Sequence, residues 1–168
     1  MAELGYQERL QPSLLDRLTD DDPESRTEPR ERRVLTLRTL RQSVLRDLGW
    51  LLNARGLGCG QDLSDYPLVA QTVLNFGLPD LAGRTASGLD LAEVEHLMLQ
   101  AIRDFEPRIL RNSVRVRAVA SGDATGQQNT LVFEIEGDLW AQPLPERLFL
   151  KTELDLEVGE VRVSESRG

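Results

Sequence analysis

Apolar side chains recur at helical spacing through the first two thirds of the chain and at alternate positions in the last third. A period of roughly 3.6 residues is typical of an amphipathic helix, and a period of about two is typical of a half-buried strand. The change falls at residues 102–109, where Pro107 interrupts the helical pattern. Because Pro107 has no amide hydrogen and disfavours the helical conformation at Glu106, we expect a helix to end there and a strand to follow.

Four segments before Pro107 have the apolar spacing of helices. They are residues 10–19, 30–55, 65–77 and 90–106, with end signals at Pro12, Gly56, Gly58, Asp65, Gly77 and Asp90. The outer face of the longest helix is predicted to carry Arg32, Arg33, Arg38, Arg41 and Arg46. Residues 20–29 are polar and contain proline, which predicts an exposed linker. Residues 1–29 would then form an N-terminal arm that packs either on its own domain or on a partner, and the pattern leaves both open.

The segment after Pro107 predicts a three-stranded antiparallel meander. Strands are expected at residues 114–118, 131–136 and 148–158, with a polar turn at 121–129. One face of the sheet is apolar and should receive the helices, whereas the other carries arginines on the first strand and carboxylates on the next two. The predicted fold class is α+β, with N-terminal helices packed on one face of a small C-terminal antiparallel sheet. We expect a single domain over residues 30–168, with helices at 30–106 and the meander at 109–163.

The composition is that of a soluble globular protein. Of the 168 residues, 40% are hydrophobic and 29% are charged, and the formal net charge is −8. A chain this acidic lacks the basic footprint of a nucleic-acid binder. No apolar run reaches the roughly 20 residues of a membrane-spanning helix, and the first residues have no secretory pattern. Cys59 is the single cysteine, so we expect no internal disulfide and a cytoplasmic location. Because there is no long apolar run, we expect no direct insertion into a membrane.

The residue types needed for metal, cofactor or covalent chemistry are scarce. His96 is the single histidine, and the sequence has no glycine-rich phosphate loop and no nucleophile motif. A glycosidase needs two carboxyl groups, one of them protonated, and Asp104 with Glu106 is the nearest match. Two residues apart on a helix, these side chains point in different directions, and Arg108 would favour the charged form of Glu106. We therefore expect no catalytic residue, no metal site and no cofactor.

Two opposite charges, Glu106 and Arg108, flank Pro107 at the predicted corner between helix and strand. An intramolecular ion pair that fixes the corner would explain them, at a gain of only ~0–1 kcal/mol if the pair is exposed. Exposed charges that bind a partner would explain them equally, and a charge reversal would then leave the fold intact. The residues alone leave both explanations open.

Several stretches, taken in order, resemble a known family. The sequence Phe105–Ile109, FEPRI, resembles the Glu-Pro-Arg signature of the contractile-tail baseplate wedge family, whose members were once labelled lysozyme-like. The resemblance is closest to the branch found in bacterial type VI secretion baseplates, TssE, and extends over about residues 10–109. Its other matching stretches are Leu14–Leu18, Ser43–Asn53, Tyr66–Pro67 and Asn75–Leu81. In this order and at these intervals the set is specific.

The resemblance implies a structural, non-enzymatic subunit of a contractile injection machine. It implies that Glu106, Pro107 and Arg108 bind the helical core bundle of the baseplate wedge, built by TssF and TssG, with TssK as a further wedge partner. It also implies that the sheet region 111–160 starts sheath polymerisation by pairing with strands of TssB and TssC, at the cytoplasmic face of the inner membrane. The alternatives are a cytoplasmic adaptor or effector chaperone and, least favoured, a lysozyme-like muramidase that uses Glu106.

Overall fold

The computed structural model describes residues 13–19, 36–83, 88–119, 130–141 and 144–166. Within these ranges the helices are α1 (Leu14–Leu18), α2 (Leu37–Asn53), α3 (Pro67–Ala70) and α4 (Leu91–Phe105), with short 3₁₀ turns at Leu57–Cys59 and Val73–Asn75. The strands are β1 (Arg115–Val119), β2 (Thr130–Leu139), β3 (Glu146–Asp155) and β4 (Val161–Glu165). The helices precede the sheet, so the predicted α+β class is confirmed. The linker predicted at 20–29 and the turn predicted at 121–129 lie outside the described residues.

The longest helix, α2, starts later and ends earlier than its apolar pattern predicts. Its N-cap is Thr36, whose hydroxyl oxygen accepts a hydrogen bond from the Thr39 amide at 3.1 Å, so the helix begins at Leu37 and not at Arg30. It ends at Asn53, and Ala54 is already extended. Its buried face consists of Leu40, Ser43, Val44, Leu48, Leu51 and Leu52, and apart from Ser43 these residues have the helical spacing of apolar side chains predicted for this segment.

The continuous helix predicted over residues 65–77 is wrong. The structure has the single turn of α3, preceded by Tyr66 as cap, and a separate 3₁₀ turn ending at Asn75. Leu68 and Leu74 are exposed, so the segment lacks the buried apolar face that stabilises a helix in a folded protein. The Asn75 side chain instead accepts a hydrogen bond from the Gly58 amide and donates one to the Ala70 carbonyl, both at 2.9 Å.

A close backbone contact joins the end of α2 to the segment after Asn75. The amide of Leu78 donates to the carbonyl of Ala54 at 2.9 Å, and the amide of Gly56 donates to the carbonyl of Leu78 at 3.3 Å. Gly77 has a φ of 128°, and a Cβ there would collide with the Ala54 carbonyl, so only glycine fits this approach. The stretch Asn75–Leu81, which carries part of the family resemblance, therefore fixes the position of the segment that follows α2 through main-chain hydrogen bonds.

In the described part of the chain the sheet has four antiparallel strands in the order β1-β2-β3-β4, and not the three predicted. The strand expected to reach Val158 ends at Asp155, and a turn through Gly159, with a φ of 74°, leads into β4. Val158 is exposed in that turn. Consequently β3 is an interior strand, paired on both sides, and the edges of the sheet are β1 and β4.

Helices cover one face of the sheet, as predicted. Helix α2 packs against β4, and α4 packs against β1 and α2. The core between them includes Val44, Leu48, Met98, Ile102, Phe133, Ile135, Leu148 and Leu150, each at most 2% exposed. Helix α4 begins at the predicted cap, where Asp90 accepts a hydrogen bond from the Ala92 amide at 2.9 Å, and ends at Phe105, ahead of Pro107. The corner at Pro107 therefore lies at the rim of this core.

Candidate docking site at the helix-to-strand corner

The corner Glu106-Pro107-Arg108 is clamped between the end of α4 and the end of β2. The amide of Glu106 donates to the carbonyl of Ile102 at 2.9 Å and closes the last turn of α4. On the other side, the carbonyl of Arg108 accepts a hydrogen bond from the amide of Trp140 at 2.7 Å. The backbone of the corner is thus held from both sides, which positions its side chains.

Glu106 and Arg108 form an ion pair within the chain. The Arg108 Nε and Nη2 atoms donate to the two carboxylate oxygens of Glu106 at 2.7 and 2.5 Å, and the Arg108 amide donates to Oε1 at 3.1 Å. Glu106 is buried, at 3% exposed, so the expectation of a solvent-exposed pair is wrong for this residue. Pro107 is exposed, and the Arg108 side chain keeps 23% of its surface open to solvent. The part of the corner open to a partner is therefore Pro107 and Arg108.

Helix α2 supplies two further partners to Arg108. Nη2 of Arg108 lies 2.6 Å from Asp47 Oδ2, and Nη1 donates to Ser43 Oγ at 3.2 Å. The Ser43 hydroxyl in turn donates to the Leu40 carbonyl at 2.9 Å. Sequence reasoning missed both residues, although Ser43 is a polar residue on the buried face of an amphipathic helix, and such a residue needs a hydrogen-bond partner when buried.

The arrangement around Arg108 favours a permanently charged guanidinium. Burial by itself would lower the pKa of Arg108, but the hydrogen bonds and charge of Glu106, followed by those of Asp47, outweigh it and raise that pKa above its usual value. Two carboxylates thus compensate one half-buried cation. Removing either carboxylate would leave a charge that water reaches only in part.

The same network continues to α1. Asp47 Oδ1 accepts a hydrogen bond from Arg46 Nε at 2.9 Å, and Arg46 Nη1 lies 2.6 Å from Asp16 Oδ1. Burial would raise the pKa of Asp16, but its hydrogen bonds with Arg46 and Ser13 hold that pKa below the usual value. Of the two packing modes left open for the N-terminal arm, α1 therefore makes an ion pair with its own domain.

The predicted arginine face of α2 is only partly solvated. Arg46 stacks over the Trp50 ring at 5.0 Å from its centroid, and Arg41 forms an ion pair with Glu146 at 2.8 Å. Arg38 is exposed, whereas Arg32 and Arg33 lie outside the described residues. The face is thus used mainly to hold α1 and β3.

Helix side chains occupy part of each sheet edge. On β1, the amide of Ala118 donates to Glu95 Oε1 of α4 at 2.5 Å. On β4, Asn53 of α2 holds both main-chain groups of Val161, with Oδ1 accepting from the amide at 2.8 Å and Nδ2 donating to the carbonyl at 2.7 Å. Each edge is therefore closed at one residue.

The remaining part of β4 has main-chain groups on its open side. The amide of Asp155 donates to the Glu160 carbonyl, and the amide of Ser166 donates to the Phe149 carbonyl, both at 2.9 Å. In an antiparallel pair the inward and outward main-chain groups alternate along the strand. The amides and carbonyls of Val163 and Glu165 consequently point away from β3, toward the open edge.

The outer face of the sheet mixes both signs of charge. Arg115 and Arg117 on β1 and Glu134 on β2 are exposed, as predicted. On β3, however, Lys151 pairs with the neighbouring Glu153 at 2.8 Å. The carboxylates of this face are therefore accompanied by cations.

Asp104 and Glu106 do not form an acid-base pair. Asp104 lies 2.9 Å from Arg111 Nη2 and accepts a hydrogen bond from Gln100 Nε2 at 2.7 Å, whereas Glu106 is held by Arg108. Among the described residues, no group of three or more His, Cys, Asp or Glu side chains could hold a metal ion. No helix in that part of the chain is both long enough and apolar enough to cross a membrane.

A family model described as baseplate wedge protein gp25 matches residues 38–144, more than half of the chain. The matched range contains all of α2 except Leu37, the corner and β2, and with them Ser43, Asp47, Glu106 and Arg108. Searches of curated proteins and of solved structures give no significant match.

Proposed function

Because the chain belongs to the baseplate wedge protein gp25 family, we propose that it is a structural subunit of the baseplate of a bacterial type VI secretion system, of the TssE branch. The carrying observation is that the match spans the residues that surround Arg108, from Ser43 and Asp47 of α2 to Glu106, together with β2. The subunit would assemble with TssF, TssG and TssK at the cytoplasmic face of the inner membrane and start the sheath of TssB and TssC.

The corner is the proposed contact with the wedge core of TssF and TssG. Pro107 and the open part of the Arg108 guanidinium would touch the partner, while Glu106 holds Arg108 from within. An arginine that is already oriented loses little side-chain entropy on binding. The Nη1 hydrogen that Ser43 does not accept can be donated to a partner carboxylate or to a carbonyl at a helix C-terminus. Of the three residues implied by the resemblance, Glu106 therefore acts through Arg108.

The sheet is the proposed contact with the sheath. An exposed strand edge pairs with an incoming strand through main-chain hydrogen bonds. The outward groups of Val163 and Glu165 support β4 as the receiving edge. Both edge strands have five residues and each has one residue bound by a helix side chain, so the choice of β4 rests on these two outward residues. Strands of TssB and TssC would extend the sheet at this side.

Co-purification tests the assignment and the corner together. Tagged chain, co-expressed with TssF, TssG and TssK, should recover all three. Arg108→Lys keeps the charge but loses the fork, so wedge binding should weaken by roughly ten- to a hundredfold, the equivalent of about 1.5–3 kcal/mol for charged hydrogen bonds. The matched control is Arg38→Lys, the same substitution at an exposed position of α2, the helix that contacts Arg108. This variant should bind normally.

The outcomes separate the two claims. Recovery of a secreted effector, and of no wedge protein, would favour an adaptor or effector chaperone and contradict the baseplate assignment. Normal wedge binding by folded Arg108→Lys protein would contradict the role of the corner and leave the assignment intact.

We further expect purified protein to release no fragments from peptidoglycan. A glycosidase acid must be free to give its proton to the glycosidic oxygen, and both oxygens of Glu106 already accept hydrogen bonds from Arg108. Dye-labelled cell wall, with a lysozyme as positive control, provides the assay. Release that disappears in a Glu106→Gln variant would make the chain a muramidase.

A further inference from the structure

We infer that Asp47 is a second positioning residue for Arg108, beside Glu106, and that through Arg46 it couples the attachment of α1 to the state of the corner. The coupling is a property of the isolated chain. Its effect on wedge binding rests on the function proposed above.

The two oxygens of Asp47 serve two different arginines. Oδ2 faces Arg108 of the corner at 2.6 Å, and Oδ1 faces Arg46 Nε at 2.9 Å. Its side chain is 23% exposed, so the carboxylate is screened by water only in part. A change in the position of Arg108 therefore alters the Asp47 carboxylate that binds Arg46, and a change in the position of Arg46 alters the carboxylate that binds Arg108.

The attachment of α1 depends on Arg46. Leu14 and Leu18 are 71% and 73% exposed, so apolar burial contributes little to holding this helix. A helix of five residues is also too short to be stable alone. Among the described side chains, the ion pair between Asp16 and Arg46, at 2.6 Å, is accordingly the main polar contact between α1 and α2.

These contacts form one continuous network from α1 to the corner: Asp16, Arg46, Asp47, Arg108 and Glu106. A partner group that draws Arg108 away from Asp47 changes the strength of the hydrogen bond and ion pair between Asp47 and Arg46. By thermodynamic linkage, a change in the attachment of α1 alters the affinity of the corner by the same factor.

The central test replaces Asp47, whose carboxylate contacts Arg46 and Arg108, and reads out α1. Asp47→Asn keeps the shape and removes the charge. Hydrogen exchange at the amide of Thr19, which closes α1 by donating to the Leu15 carbonyl, should accelerate by at least about fivefold, the lower end of allosteric coupling. Asp80→Asn, which removes an exposed partner of Arg55, is the matched control and should leave that rate unchanged.

A second readout follows the position of Arg46. In a Trp140→Phe background, Trp50 is the single tryptophan, and Arg46 lies over its ring. Asp47→Asn should change the fluorescence of Trp50, and Asp47→Glu should restore most of the original signal. Protected exchange in the middle of α2 would establish that these variants remain folded.

A double-mutant cycle completes the test, using Asp16→Asn and Arg108→Lys. These two residues do not contact each other. If the network does not couple them, the effects of the two substitutions on hydrogen exchange in α1 should therefore be additive in free energy. A non-additive cycle supports the inference, whereas additive effects, or normal α1 exchange in folded Asp47→Asn protein, overturn it. All of these measurements use the isolated chain, so failure of wedge binding would contradict the proposed function without affecting them.

Discussion

Replacing Glu106 with glutamine should lower the free energy of unfolding by about 3 kcal/mol, at the lower end of the cost of breaking a buried ion pair. Glu106 is nearly covered, and its two oxygens neutralise the side of Arg108 that faces the protein interior. Glutamine has almost the same shape but leaves that cation with Asp47 as its remaining carboxylate partner. For a chain of this length the melting temperature should fall by roughly 6–12 °C.

Glu153→Gln is the matched control, because the substitution is the same and the ion pair is exposed. Glu153 and Lys151 are 45% and 46% exposed, so their pair is screened and its loss should cost under about 1 kcal/mol. Denaturant titration and calorimetry of both variants provide the measurement. Equal stabilities would mean that the corner pair contributes no more than an exposed surface pair.

A proline in β3 should destabilise the fold, whereas a proline in the neighbouring strand β4 should leave the fold intact and prevent sheath assembly. Glu153 lies in β3, which pairs on both sides, so Glu153→Pro removes an interior ladder hydrogen bond and leaves its acceptor unpaired, which should destabilise the protein by about 1–3 kcal/mol. The amide of Val163 on β4 points to the open edge, so Val163→Pro removes no ladder bond. This second variant should fold, bind the wedge and yet start few or no sheaths.

Counting fluorescent sheaths in cells tests the second outcome, and circular dichroism of the purified variants tests the first. Val163→Ala trims the same side chain but keeps the amide, so it should start sheaths at nearly the normal number. Normal sheath numbers in cells with folded Val163→Pro protein would exclude β4 as the receiving edge. A stable, folded Glu153→Pro protein would contradict the interior position of β3.

Features that depend on neighbours along the chain could be predicted from the sequence. The end of α4 follows from the chemistry of Pro107, and its start follows from the capping side chain of Asp90. Alternation of apolar residues located β1, β2 and most of β3, and with them the α+β class. These signals are reliable because the cause and its effect lie within a few residues of each other.

Other features were settled by contacts between distant segments. The stretch 65–77 has helix signals at both ends, yet the approach of Asn75 to Gly58 breaks it into two turns. Strand β4 is short and has only Val161 and Val163 as apolar residues, so its state depends on pairing with β3 and on the Asn53 side chain. Local preference is weak, and tertiary contacts of this kind override it.

The corner divides in the same way. The sequence by itself determined that a helix ends at Pro107 between two opposite charges, and it raised both an ion pair and a docking role. Only the tertiary structure decided that Glu106 is buried and that Ser43 and Asp47, 65 and 61 positions away from Arg108, complete its surroundings. The reason is physical: a charge pair acquires its strength from burial, and burial is set by which distant surfaces pack together.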